Sequence, residues 1–332
     1  MAGSGKAVYA ALGANSVVTL AKAGGFLASG SPAMLSEAIH SFADVMNQSL
    51  LALGLRTSAG KRSEDYPYGM HRDRFVWALI SAVGVLFLGC GVTVYHGVSS
   101  LFHPAETSGS LWMTLGVLGF AFVVEGATLL VAVKEVRGQA AGRPLLQFFR
   151  EMDDPLAAAV LLEDAAAVTG VVFASIGIAL SHVTGRPVFD SVASILIGLM
   201  LGVVAILLVR RNRQLLLGAA PAGGVTDRIE ELLEADPAVE DVHDIRVVVL
   251  GSGAIKVAAD VDFDARHLSK KMLGGMDLPA AWEKLDGPET LGQVLEEFGV
   301  RLVDSMADEV DRLEATVREV VPTATHVDLE AD

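Results

Sequence analysis

Six long apolar segments fill the first two thirds of the chain, and they constrain its fold more than any other feature. Each is about 20 residues or longer, which is enough for an α-helix to cross a hydrocarbon core about 30 Å thick. The segments cover roughly residues 7–28, 33–55, 75–102, 111–133, 156–181 and 190–209. We therefore expect residues 1–214 to form a domain of six transmembrane helices in a lipid bilayer.

The composition excludes most other classes of protein. Of the 332 residues, 52% are hydrophobic and only 20% are charged, and the mean hydropathy is +0.48. Soluble domains are usually about 45–50% apolar and about 25% charged. The chain is therefore neither disordered nor wholly soluble, and its single cysteine, Cys90, allows no internal disulfide.

Positive charge is concentrated in every second connection between the apolar segments, after the second, fourth and sixth segments. The connections on the other side of the membrane carry almost none: 29–32 and 103–110 have no Lys or Arg, and 182–189 has only Arg186. Cytoplasmic loops collect Lys and Arg, so we expect both termini on the cytoplasmic side, or on the matrix side of a mitochondrial membrane. The Ala- and Gly-rich composition and a start without a presequence favour a prokaryotic inner membrane. The basic residues of the alternate loops are Arg56, Lys61, Arg62, Arg72, Arg74, Lys134, Arg137, Arg143, Arg150, Arg210, Arg211 and Arg213.

Residues 215–332 have the pattern of an acidic, water-exposed α+β domain. They carry 10 Lys and Arg against 26 Asp and Glu, a balance that repels nucleic acid, so we predict no nucleic-acid binding. Residues 266–287 fit neither a helical nor a strand period and are predicted to be a loop or an irregular insertion. The predicted elements are a helix at 226–234, strands at 242–250 and 254–263, a helical region at 288–321 and a strand at 324–330.

Ionisable residues within the apolar segments are the main indication of function. Each central Asp costs about 2.5–3.5 kcal/mol in a membrane, so such groups should face a cavity, a cation or each other. Glu37, His40, Asp44 and Asn47 are spaced 3, 4 and 3 residues apart. On a helix they fall within an arc of about 80°, which predicts one polar stripe on the second segment.

The types of these residues point to a metal ion. His40 and Asp44 lie one helical turn apart, so both can bind a single cation, and an imidazole with carboxylates favours zinc or a related divalent metal. Glu163 and Asp164 are adjacent on the fifth segment and can border the same cavity. For Glu125, on the fourth segment, a structural ion pair with Lys22 and a role in proton movement are equally plausible.

Several motifs resemble one family of membrane proteins. SPAMLSEAIHSFADVMNQ, DYPYGMHRDRFVWALISAVG, DPLAAAVLLEDAAAVTG, PVFDSVASILIGLMLG and EVDRLEATVREVVPTATHVDLE agree with it in order and spacing. They are similar to the cation diffusion facilitator family of divalent-metal/proton antiporters. Within that family they resemble the subgroup that contains the human mitochondrial zinc transporter.

The resemblance implies a homodimer of six-helix protomers, each with a metallochaperone-like (ferredoxin-like) cytoplasmic domain. It implies a transport site with His40 and Asp44 from the second span and Asp164 from the fifth. The family's other fifth-span ligand would fall at Val160, which cannot bind a metal, so Glu163 or water would replace it. A second, cytoplasmic metal site is implied at His243, His326 and Asp328.

We therefore expect a secondary transporter, not an enzyme, that exports a divalent cation, most readily Zn²⁺, in exchange for protons. No prosthetic group is predicted, and the metal is the substrate, with a possible regulatory role. The sequence leaves open whether Mn²⁺, Fe²⁺, Co²⁺ or Ni²⁺ is the main substrate. The alternative from another class is a membrane-anchored metal sensor or scaffold that does not transport.

Overall fold

The computed structural model describes residues 2–58, 60, 63–104, 110–140, 155–221, 223–251 and 253–332. The contacts between residues divide the chain into two compact units, Met1–Leu217 and Gly218–Asp332. We call them the helical unit and the acidic unit, and each is described by itself.

The helical unit consists mainly of long helices. Helix α2 begins where the Ser31 hydroxyl accepts a hydrogen bond from the Met34 N–H and Pro32 opens the first turn, which is a favourable helix start. The third long helix changes to a π-helical segment, Val85–Val92, in its middle. The helices are α1 (Ala2–Ser29), α2 (Pro32–Thr57), α3 (Asp73–Gly84), α4 (Thr93–Phe102, after the π-helical segment), α5 (Leu111–Ala140), α6 (Pro155–Thr184) and α7 (Val188–Leu216).

Within the described residues, four helical stretches are long and apolar enough to cross a membrane. They agree with the prediction that this unit is a membrane domain. Helices α1 and α2 are not among the four, and in α2 the polar stripe lowers the hydropathy, so the count of six spans stays a prediction. The four stretches are Asp73–Phe102, Leu111–Lys134, Leu161–Thr184 and Val188–Leu216.

Small residues let the third long helix and α7 approach each other closely. A methyl group added at Gly97 would lie 2.8 Å from the Ile195 side chain, and one at Gly198 would lie 2.7 Å from the Val94 side chain. Lipid-embedded helices gain stability from such close packing because it increases their van der Waals contact. This contact holds α7 against the third long helix, as the Gly-rich sequence of the apolar segments predicts.

The acidic unit is a three-stranded sheet with helices packed on one face. The strand order is β1-β2-β3, with β1 and β2 antiparallel and β2 and β3 parallel. Ile229, Leu233, Val257, Leu313 and Val317 are buried between sheet and helices. This confirms the predicted small α+β domain. Its elements are α8 (Val225–Glu234), β1 (Val239–Gly251), β2 (Ala254–Phe263), α9 (Ala265–Gly274), α10 (Leu278–Glu283), α11 (Pro288–Val320) and β3 (Ala324–Ala331).

The prediction that residues 266–287 form a loop or an irregular insertion is wrong, because they contain most of helix α9 and all of helix α10. Asp264 caps the N-terminus of helix α9: its carboxylate accepts hydrogen bonds from the N–H groups of Arg266 and His267. Leu268 and Met272, one turn apart, bury its apolar side. The segment is too short and too polar for its period to stand out, so capping and two buried side chains decide its structure.

Candidate metal site in the helical unit

Helix α2 carries the predicted polar stripe, but its four members have different neighbours. From the start of the helix they are Glu37, His40, Asp44 and Asn47. Glu37, His40 and Asn47 are buried, at 0%, 2% and 6% exposure, whereas the Asp44 side chain is 21% exposed. The stripe therefore faces the interior of the helix bundle, as its spacing predicts.

Glu37 belongs to a buried ion-pair cluster that joins three helices. The Lys22 ammonium on α1 donates to Glu37 Oε2 at 2.7 Å and to Glu125 Oε1, on α5, at 2.6 Å. The structure therefore pairs Glu125 with Lys22, one of the two roles considered for it. The contact from Glu37 to Lys22 was not predicted; a lysine buried in an apolar segment was the signal that could have found it.

Helix α6 makes room for this cluster at a glycine. A Cβ atom on Gly170 would lie 2.4 Å from Glu37 Oε1. The Glu37 carboxylate therefore packs against the α6 backbone at Gly170, and a larger residue at this position would displace the carboxylate. The cluster is thus enclosed by α1, α2, α5 and α6.

His40 and Asp44 lie side by side one turn further along α2. His40 Nε2 is 3.4 Å from Asp44 Oδ2. Within the described part of the chain, neither ring nitrogen of His40 has a hydrogen-bond partner, although both are buried. Burying an unpaired polar group usually costs about 1–3 kcal/mol, so such a group calls for an explanation. A metal ion bound at one of these nitrogens would reduce that cost.

Glu163 is held by Asn47 and not by the other acidic residues. Asn47 Nδ2 donates to both carboxylate oxygens of Glu163, at 2.8 and 2.7 Å, and its Oδ1 accepts from Ser81 Oγ at 2.7 Å. Asp44 interacts electrostatically with Glu163 and with Asp164. Helices α2 and α6 therefore bring the four residues predicted for the transport site, His40, Asp44, Glu163 and Asp164, to one region.

They do not form a closed metal site in this conformation. Among the described residues, no three His, Cys, Asp or Glu side chains come close enough together to hold a metal ion. The side chain of Val160, predicted as the position of a missing ligand, lies outside the described residues. The arrangement places one buried imidazole near three carboxylates that are partly exposed.

In the acidic unit the structure separates the three predicted ligands. His243 is on β1, while His326 and Asp328 are on β3, and β2 lies between them. Through β2, His243 is aligned with Glu330, four residues beyond His326. The backbones of His243 and His326 therefore lie on the order of 15 Å apart, which is too far for both side chains to bind one metal ion. His243 Nε2 lies instead 3.2 Å from Asp262 and 3.5 Å from Asp241, and Asp328 lies 3.7 Å from Lys256.

Comparison with known proteins agrees with a transport domain. Residues 8–217 match the family model described as the cation efflux transmembrane domain. Over 333 residues, 99% of this chain, it is 38% identical to the proton-coupled zinc antiporter SLC30A9, mitochondrial, of Homo sapiens and to that of Mus musculus. It is 35% identical over 337 residues to metal tolerance protein C4 of Arabidopsis thaliana.

These alignments cover nearly all of this chain but a smaller part of the relatives. They span 58% of the human SLC30A9 protein, 59% of the mouse protein and 73% of the Arabidopsis protein. The family model covers the helical unit, and the SLC30A9 alignments extend over the acidic unit too. The chain belongs to the cation efflux family, also called the cation diffusion facilitator family, and to its SLC30A9-like subgroup.

Proposed function

We propose that this chain exports a divalent cation, Zn²⁺, across a membrane in exchange for protons. The observation that carries the proposal is His40: a buried imidazole that makes no hydrogen bond within the described residues, with Nε2 3.4 Å from Asp44 on a membrane helix. The names of the SLC30A9 relatives, proton-coupled zinc antiporters, support zinc as the cation and protons as the exchanged ion.

The exchange follows from the chemistry of the ligands. An imidazole nitrogen and a carboxylate oxygen bind zinc only when they are deprotonated. Zinc binding at His40, Asp44 and Asp164 therefore releases protons, and protonation of the same groups releases zinc. A site that opens alternately to each side of the membrane would couple the two movements.

The fourth position of the site is assigned to Glu163 or to water. Glu163 lies near Asp44, but Asn47 holds both of its oxygens. In the first case Asn47 orients a metal-binding carboxylate; in the second it keeps that carboxylate away from the ion. Zinc takes four ligands in a tetrahedral arrangement, and water commonly completes an open site.

The homodimer and the cytoplasmic metal site are further parts of the proposal. Because His243 and Asp328 lie on opposite edges of the sheet, a site that used both would need ligands from a second chain. We place the acidic unit, from about residue 215, on the cytoplasmic side or the matrix side. The comparisons do not favour the predicted prokaryotic inner membrane, since the SLC30A9 relatives are named mitochondrial.

The test is zinc exchange in vesicles that contain the purified protein and two dyes, one for zinc and one for protons. With a pH gradient imposed, wild-type protein should move zinc against protons, and Asp44→Asn should abolish both movements. Asp304→Asn, at an exposed position on α11, is the matched control and should transport normally. Zinc and proton movements that survive in Asp44→Asn would refute the site.

A metal sensor or scaffold is the second candidate, because no three metal-binding side chains come together in the described residues. It predicts metal binding by the purified protein without flux of zinc or of Mn²⁺, Fe²⁺, Co²⁺ and Ni²⁺. Flux of one of these other ions, with none for zinc, would keep the transporter and change its substrate.

A further inference from the structure

A small polar cavity lies among helix ends on one side of the helical unit. Its volume is about 40 Å³, which exceeds the roughly 10–15 Å³ that one water molecule needs. We call it the outer cavity. Its polar lining consists of Ser29, Ser31, Thr114, Ser181, His182 and Asp190.

The lining is built into the fold. Asp190 is 1% exposed, and the four hydroxyl residues of the lining are at most 7% exposed, while His182 is open to the surface. Asp190 Oδ1 accepts hydrogen bonds from Ser31 Oγ at 2.9 Å and from the Ala33 N–H at 3.0 Å. The carboxylate therefore fixes the start of α2 to the start of α7.

The second oxygen of Asp190 has no such role. Oδ2 is buried, and within the described residues it has no hydrogen-bond partner. Among the described residues that line the cavity, none is a Lys or Arg that could neutralise the carboxylate. A buried carboxylate without a counter-charge is strongly unfavourable, so this oxygen favours binding a cation or a proton.

The location of the cavity identifies the side of the membrane. Its lining comes from the end of α1, the starts of α2, α5 and α7, and the end of α6. These are the ends next to the loops that are poor in Lys and Arg, opposite the basic loops. Ser31 precedes His40 by nine residues on α2, or about 14 Å along the helix axis.

We propose that the outer cavity is a second binding site for a divalent cation, with Asp190 and His182 as its protein ligands and water completing the shell. A carboxylate, an imidazole and hydroxyl groups are ligands that zinc and related ions accept. Two protein ligands make a weak site, which suits an ion on its way out. That this site takes part in releasing the transported cation depends on the proposed function. That the outer cavity binds a cation does not depend on it.

The experiment measures Zn²⁺ binding to the purified full-length protein by equilibrium dialysis. Wild type should bind one Zn²⁺ per protomer more than Asp190→Asn, which loses the charge but keeps an oxygen for Ser31 and Ala33. Asp44→Ala should retain this ion, and Asp304→Asn, the matched control, should bind as wild type does. Equal zinc stoichiometry in wild type and a folded Asp190→Asn would overturn the proposal.

His182→Ala gives a second measurement, because His182 is exposed and its removal leaves the core intact. It should weaken the outer site at least tenfold, and unchanged affinity would overturn the proposal if Asp190→Asn does not fold. Vesicle flux separates this inference from the proposed function. Zinc binding that depends on Asp190 in a protein without zinc–proton exchange would support the outer site and refute the antiporter.

Discussion

The ammonium group of Lys22 lies 2.6 Å from Oε1 of Glu125, and the two residues are 103 positions apart in the chain. Both side chains are buried, and Lys22 also binds Glu37. Two carboxylates thus share one ammonium in a medium where an isolated charge is very unfavourable. The cluster links α1, α2 and α5 beside the His40 site, so it ties the geometry of that site to three helices.

Replacing Lys22 with Met should destabilise the helical unit by about 3–5 kcal/mol, since it leaves two buried carboxylates without their counter-charge. Thermal unfolding in detergent, followed by circular dichroism, measures the loss. Lys22→Met combined with Glu37→Gln and Glu125→Gln removes the buried charges and should recover most of the stability. A single Lys22→Met variant that unfolds at the wild-type temperature would show that the cluster contributes no net stability.

Gly170→Ala should also destabilise the protein, although Ala usually stabilises a helix relative to Gly by up to about 1 kcal/mol. Its methyl group would lie 2.4 Å from Glu37 Oε1 and would push the carboxylate away from Lys22. Gly126→Ala on α5 is the matched control, because a methyl group there meets nothing within 4 Å. The same unfolding assay should separate the two variants; equal stability would contradict the close contact.

Sequence periodicity was sufficient to predict which face of α2 is polar, and it correctly grouped Glu37, His40, Asp44 and Asn47. It could not predict their partners, because the choice of partner depends on how the helices pack. The ion pair of Lys22 with Glu125 was one of two roles left open for Glu125, and the structure contains it. The bonds from Asn47 to Glu163 and from Lys22 to Glu37 required the fold.

In the acidic unit, too, the sequence predicted local structure but not the contacts that depend on the fold. Apolar alternation was enough to predict strands close to β1, β2 and β3, but not that β2 separates His243 from His326 and Asp328. Strand order is a tertiary property that no local period encodes. The short helices α9 and α10 were missed for a different reason: α9 is set by the Asp264 cap and α10 by the Asp277 cap.

Asn47→Ala should lower the zinc affinity of the helical unit about tenfold or more, if Glu163 binds the metal, because it removes both hydrogen bonds that orient this carboxylate. Losing such a supporting group typically weakens metal binding about 10–100-fold. Ser81→Ala removes only the bond to Asn47 Oδ1 and should have a smaller effect. Zinc binding at wild-type affinity in Asn47→Ala would assign the fourth position to water.

His40→Asp should broaden the range of transported metals, because a site made only of carboxylates suits harder ions such as Mn²⁺ better than an imidazole does. The measurement is zinc flux in vesicles with Mn²⁺ as competitor: Mn²⁺ should inhibit the variant at lower concentrations than it inhibits wild type. His71→Asp makes the same exchange in a loop and should leave the competition unchanged. An unaltered profile in His40→Asp would remove His40 from the selectivity site.

In the acidic unit, Arg312 should make stability dependent on acid pH. Burial alone would raise the pKa of Asp236, but hydrogen bonds from Arg312 and from the Ala238 N–H outweigh it and hold that pKa below its usual range. Burial also opposes ionisation of Glu309, yet hydrogen bonds from Lys271 and Arg312 keep its pKa low. Both carboxylates therefore favour the folded state above their usual pKa values, about 4, and lose that contribution as the pH falls below them.

Arg312→Gln should consequently destabilise this unit at pH 7 by about 1–2 kcal/mol, a value reduced because the guanidinium is 44% exposed. At pH 3 the difference from wild type should shrink, since protonated carboxylates no longer need the cation. Amide hydrogen exchange in α8, β1 and α11, compared between variant and wild type at each pH, measures both effects. Arg301→Gln is the matched control, because Arg301 binds only the exposed Glu297 among the described residues. A difference between Arg312→Gln and wild type that stays constant from pH 7 to pH 3 would mean that Arg312 stabilises the unit by packing, not by its charge.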